Sequence, residues 1–167
     1  MGGKLKLGIL GLYTNGNKIT CEELKDLSRK ALSFYPLKNI FEVSCVDSRD
    51  LRLCHPGRGV EQREAIKFKA INELDSIVAI QKDGLCKYDG ILKIIYSEED
   101  PIVLAHEIGH SLGLKHPVLR CGQRICDKIY RSRCEYSKDL MGCANLTKET
   151  FGFSKKDIIQ LEAKLKC

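Results

Sequence analysis

The 167-residue chain has no apolar run near the roughly 20 residues that a bilayer-spanning helix needs. Stretches such as Ile102-Val103-Leu104-Ala105 are far too short, which excludes a helical membrane span. There is no internal repeat, low-complexity tract or long linker, so one domain is expected over residues 1–167. No sign of charge dominates: a net charge of +6 is mildly basic and too weak to argue for nucleic acid. The start, Met1-Gly2-Gly3-Lys4-Leu5-Lys6, lacks an apolar core of the secretory type. Lys6 stands where a myristoylation signal has Ser or Thr. These features lead to the expectation of an intracellular, cytoplasmic protein. Histidine and methionine are scarce, at four and two residues, so each has few roles to fill.

Cysteine is abundant, at nine residues. An odd number cannot all pair within one chain. A reducing compartment favours metal ligation or free thiols over disulfides. Cys21, Cys45 and Cys86 read most simply as buried thiols. Cys54-His55 falls in a solvated loop.

The first hundred residues read in α/β order. Lys4–Leu12 is a strand running into a turn. Thr20-x-x-Glu23 is a capping box opening a helix with Leu24, Leu27, Ala31 and Leu32 on one face, ended by Pro36. Ile40–Val46 is a second strand. Val60–Leu74 is a helix with Ala65, Ile66, Ala70 and Leu74 as its buried stripe. Ser76–Gln81 is an apolar strand fit for a sheet covered on both faces. Ile91–Tyr96 is a further strand. Asp100-Pro101 caps a helix that stops at Gly113. A last helix starts at Ser154, with Ile158, Ile159, Leu161 and Leu165.

Three of the four histidines lie in His106-Glu107-Ile108-Gly109-His110-Ser111-Leu112-Gly113-Leu114-Lys115-His116. His106 and His110, four apart, leave one helix face together. Two imidazole nitrogens on one face suit Zn²⁺. Gly113 permits a left-handed turn that returns the chain, bringing His116 as a third ligand. Three imidazoles leave one position open for water, the pattern of a catalytic zinc. Glu107, pointing partly aside, can take a proton from that water and pass it to a leaving amine. The expected chemistry is hydrolysis of peptide bonds in a peptide or protein substrate.

The eleven-residue segment resembles the zinc-binding consensus of the metzincins, HExxHxxGxxH. That resemblance makes Met141, in Asp139-Leu140-Met141-Gly142, the sole candidate for the methionine turn beneath the metal. It implies a metzincin-like α/β fold, with a mostly parallel sheet, an antiparallel edge strand and an active-site helix. A subdomain over 1–116 would carry the active-site helix. A smaller one over 117–167 would carry the methionine turn, the cysteines and the last helix. It also implies that Ile91–Tyr96 borders the cleft as the sheet edge, where an extended substrate pairs.

Small size and the thiols after His116 make the archaemetzincins the most similar metzincins. These hold a second, structural zinc with four cysteines. Cys121 and Cys126 share the family's C-x₄-C spacing, with Cys134 and Cys143 as the nearest candidates to complete the set. The chain departs from the family where Pro117 follows His116 and where Met141 stands farther downstream. A second zinc, disulfides and free thiols are all open for these cysteines, and Cys143 could instead sit near the catalytic zinc. The basic stretch Lys115–Arg133 reads as a solvated loop; the metzincin layout puts it near the cleft, with a preference for acidic groups on substrates. The rival readings are a non-catalytic zinc module whose basic loop binds an acidic partner, and a latent peptidase blocked by its own thiol.

Overall fold

The computed structural model describes residues 5–13, 20–36, 41–50, 58–80, 87–97, 99–115, 140–141 and 152–165. Their elements, in chain order, are β1 (Leu5–Tyr13), α1 (Cys21–Leu32), β2 (Phe41–Asp50), α2 (Arg58–Ile71) and β3 (Ser76–Ile80). Then come β4 (Lys87–Asp89), β5 (Ile94–Ser97), α3 (Pro101–Ser111) and α4 (Lys155–Leu165). The strands form one sheet in the order β2-β1-β3-β5-β4. The first four are mutually parallel and β4 runs antiparallel to β5.

Side-chain alternation sorts the core into two layers. Leu7 and Ile9 of β1, Val78 and Ile80 of β3, and Ile95 of β5 face α1 and α3. Leu10, Ile77, Ala79 and Ile94 face the opposite way, onto Ala65 and Phe68 of α2 and onto Leu74. The run Ile77–Ile80 is thus fully buried on both faces, as its unbroken apolar sequence predicts. The two-sided covering follows from the strand order. The β1-to-β2 crossover moves one way along the sheet and the β2-to-β3 crossover moves back, so crossovers of one hand place α1 and α2 on opposite faces.

Local signals set the helix starts. Thr20 Oγ1 accepts from the Glu23 amide at 3.2 Å, and the Glu23 carboxylate accepts from the Thr20 amide at 2.7 Å. That pairing holds the Glu23 carboxyl below its usual range. Asp100 Oδ1 accepts from the amides of Ile102 (2.7 Å) and Val103 (3.2 Å), with Pro101 opening α3. Ser154 Oγ accepts from the Asp157 amide at 3.2 Å and donates to its carboxylate at 2.7 Å.

Four expectations are corrected. The sheet edge here is β4, not Ile91–Tyr96: β5 lies inside the sheet between β3 and β4. Residues 91–93 belong to the preceding turn, where Asp89 Oδ1 accepts from the amides of Ile91 and Leu92, and Ile91 is 93% exposed. The stripe of α2 includes Phe68 in place of Ile66 and Ala70, which are exposed. Leu74 lies beyond the helix, tucked in after Glu73 takes a positive φ of 51°. On α4, Ile159 is exposed and Leu161 carries the contact.

Gly8 of β1 sits under α2. A Cβ there would run into Leu74 Cδ1 and lie 3.0 Å from Phe68 Cε1. The close sheet-to-helix approach therefore requires the absence of a side chain. Gly8→Val is expected to lower stability by about 1–3 kcal/mol through overpacking. Equilibrium urea unfolding measures this, and an unchanged midpoint would contradict the packing described.

Candidate active site

Helix α3 packs on the sheet through Leu104, Ala105 and Ile108, all fully buried. Its next positions around the helix carry His106 and Glu107, each only 5% exposed. The tyrosine that follows α1 braces this stretch: Tyr35 Oη donates to the Ala105 carbonyl at 2.7 Å. The Tyr35 ring also packs on Phe153 at a centroid distance of 4.6 Å.

The helix ends in a Schellman motif. Leu112 is the C-cap, and Gly113 follows with φ +88°. The Gly113 amide donates to the His110 carbonyl at 2.9 Å, and the Leu114 amide donates to the Gly109 carbonyl at 3.0 Å. The glycine that sequence reading assigned to the turn therefore makes it.

That turn has a chemical consequence. The Leu114 carbonyl accepts from His110 Nδ1 at 2.9 Å. The Leu140 carbonyl accepts from His106 Nδ1 at 2.7 Å. A carbonyl oxygen only accepts, so both rings carry the proton on Nδ1. The Nε2 atoms are left facing each other 3.1 Å apart, with the rings edge to face. Nitrogens about 2.0–2.1 Å from a tetrahedral zinc would be roughly 3.3 Å apart, so the pair fits that ion.

Glu107 lies beside this pair on α3. Its Oε2 is buried and has no hydrogen-bond partner among the described residues, a costly state for a carboxylate. Burial pushes its carboxyl up from 4.5 to about 7.

Met141, the candidate for the methionine turn, packs against α3. It is fully buried, and its Sδ lies beneath α3 at Gly109, where a Cβ would meet it at 2.5 Å. The Leu140 amide donates to the Gly152 carbonyl at 2.8 Å, tying this turn to the approach to α4.

The structure thus brings together His106, Glu107, His110, Gly113 and Met141. His116, Cys121, Cys126, Cys134 and Cys143 lie outside the described residues. Among the described residues, no three His, Cys, Asp or Glu side chains gather to hold a metal. Cys21, expected as a buried thiol, is partly exposed and disulfide-bonded. Sequence reading missed the carbonyls of Leu114 and Leu140, and Tyr35. No residue type marks a carbonyl that will accept from a distant imidazole. No protein-family model and no curated protein matches the chain. Among the described residues, no helix is long and apolar enough to cross a membrane.

The raised Glu107 value carries a sign for stability. The folded state holds this proton more tightly than the unfolded chain, so Glu107 costs stability as pH rises from about 4.5 through about 7. In metal-free protein, Glu107→Gln is expected to gain Tm relative to wild type, by more at pH 8 than at pH 5. Scanning calorimetry at both pH values measures this; an equal difference at the two would contradict it.

Proposed function

We propose that the protein is a zinc-dependent metallopeptidase of the metzincin type, with archaemetzincins as the most similar group. The observation that carries the reading is the pair of imidazoles on α3. Both Nδ1 atoms donate to backbone carbonyls and the Nε2 atoms converge to 3.1 Å, while Glu107, next to His106 on α3, keeps a buried oxygen with no hydrogen-bond partner among the described residues.

In this reading His106 and His110 hold the ion, with His116 as the third ligand implied by the spacing. Zinc, when bound, supplies Lewis acidity to a substrate carbonyl and to water. Glu107 accepts a proton from the attacking water and returns it to the leaving nitrogen, a task suited to a carboxyl near 7. The Leu114 and Leu140 carbonyls keep the Nδ1 protons in place, which leaves Nε2 as the donor to metal.

An extended substrate would pair with β4, the antiparallel edge strand, which packs near α3.

A diverse peptide library, scored by mass spectrometry, tests the reading. Wild type is expected to cut. Glu107→Gln should hold as much zinc as wild type but lose about 10²–10⁴-fold in rate, the usual contribution of a general acid–base group. His110→Ala should lose one equivalent of zinc, measured by elemental analysis. Equal cutting by wild type and Glu107→Gln would contradict the role given to Glu107. Zinc binding with no peptide cut would favour the non-catalytic zinc module.

A further inference from the structure

The C-terminus of α3 is gripped from outside by α4. Lys164 Nζ donates to the Leu112 carbonyl at 2.8 Å, and Gln160 Nε2 donates to the Gly113 carbonyl at 3.1 Å. Residues 160 and 164 stand one turn apart on α4, so they share a face. The carbonyls they reach are consecutive and lie where a helix leaves its last acceptors without intrahelical donors. The ammonium also sits at the negative end of the α3 dipole, where a cation is favoured. The contact is fitted to glycine: a Cβ on Gly113 would stand 3.2 Å from Lys164 Nζ. Helix α4 is a firm base for this grip, since Leu161 is buried in the main core and Ser154 caps its start.

The next residue along the chain is Leu114, whose carbonyl accepts from His110 Nδ1. We infer that Lys164 and Gln160 are positioning residues for the metal centre. By pinning the Leu112–Gly113 turn to α4, they hold the Leu114 carbonyl where it fixes the tautomer and ring plane of His110. Neither side chain touches the imidazole; both act through the turn. The consequence for zinc rests on the metallopeptidase reading, while the effect on the His110 ring does not.

Two measurements on the Lys164→Met/Gln160→Leu double variant test this, with folding checked by circular dichroism. The first is ¹⁵N NMR of the His110 ring in metal-free protein. Wild type should show the Nδ1–H tautomer, and the double variant should lose that preference. The second is zinc affinity by chelator competition. The zinc Kd should rise about 10–100-fold, the range seen when partners of ligating histidines are removed. Lys164→Arg, which keeps a donor, should stay near wild type. Lys156→Met, an exposed change on the same helix, should have no effect.

If the double variant does not fold, Lys164→Met alone carries both readouts, with a smaller change. A folded variant with wild-type tautomer and wild-type zinc affinity would overturn the inference and leave the metallopeptidase reading standing. A wild type that binds no zinc, with the tautomer still lost in the variant, would support the grip and overturn that reading instead.

Discussion

Helix α3 must do two things that conflict. It buries Leu104, Ala105 and Ile108 against the sheet, and the same burial takes His106 and Glu107 out of water. Apolar burial favours the docking, at roughly 25 cal/mol per Å² of apolar surface removed from water. Burying polar groups opposes it unless each finds a partner. The imidazoles find theirs in the carbonyls of Leu114 and Leu140. Glu107 Oε2 finds none among the described residues, and burial raises its pKa. The site is therefore a place where the fold tolerates a polar cost. That is where chemistry is expected when the neighbouring groups converge on one point.

The two orienting carbonyls come from different parts of the chain, and this makes the fold answerable to both. Leu114 belongs to the Schellman turn that ends α3, and α4 holds that turn through Lys164 and Gln160. Leu140 belongs to the turn with Met141, which lies under Gly109 and is bonded to Gly152. Tyr35 closes the arrangement from the side of α1, bonding Ala105 and packing on Phe153. The residues after the sheet are thus part of the site's frame. His110 is fixed by the turn that ends its own helix, and His106 by a segment that folds onto α3 from elsewhere.

What could be read from the sequence follows the range of the interaction. The Thr20–Glu23 box, the Asp100-Pro101 start and the Gly113 stop depend on residues within a turn of each other, and each forms as expected. The His106–His110 spacing is legible for the same reason, since helix geometry alone puts both rings on one face. The errors arise where neighbours in space decide. Residues Val60–Leu74 offer more than one apolar stripe, and the position of Phe68 against Gly8 chooses between them. Lys87–Asp89 is too short and polar to announce a strand, yet it takes the edge and moves β5 inward. The bonds from Leu114, Leu140 and Tyr35 could not be read at all. Every residue has a carbonyl, and nothing in its side chain marks which one meets an imidazole.

The proposed zinc site would take the His106 and His110 Nε2 atoms as two of its donors. Anomalous diffraction at the zinc edge, from crystals grown with zinc, tests it most directly. An anomalous peak is expected about 2.0–2.1 Å from both Nε2 atoms, with each Nδ1 still donating to its backbone carbonyl. A fully occupied zinc found only elsewhere, or none near this pair, would contradict it.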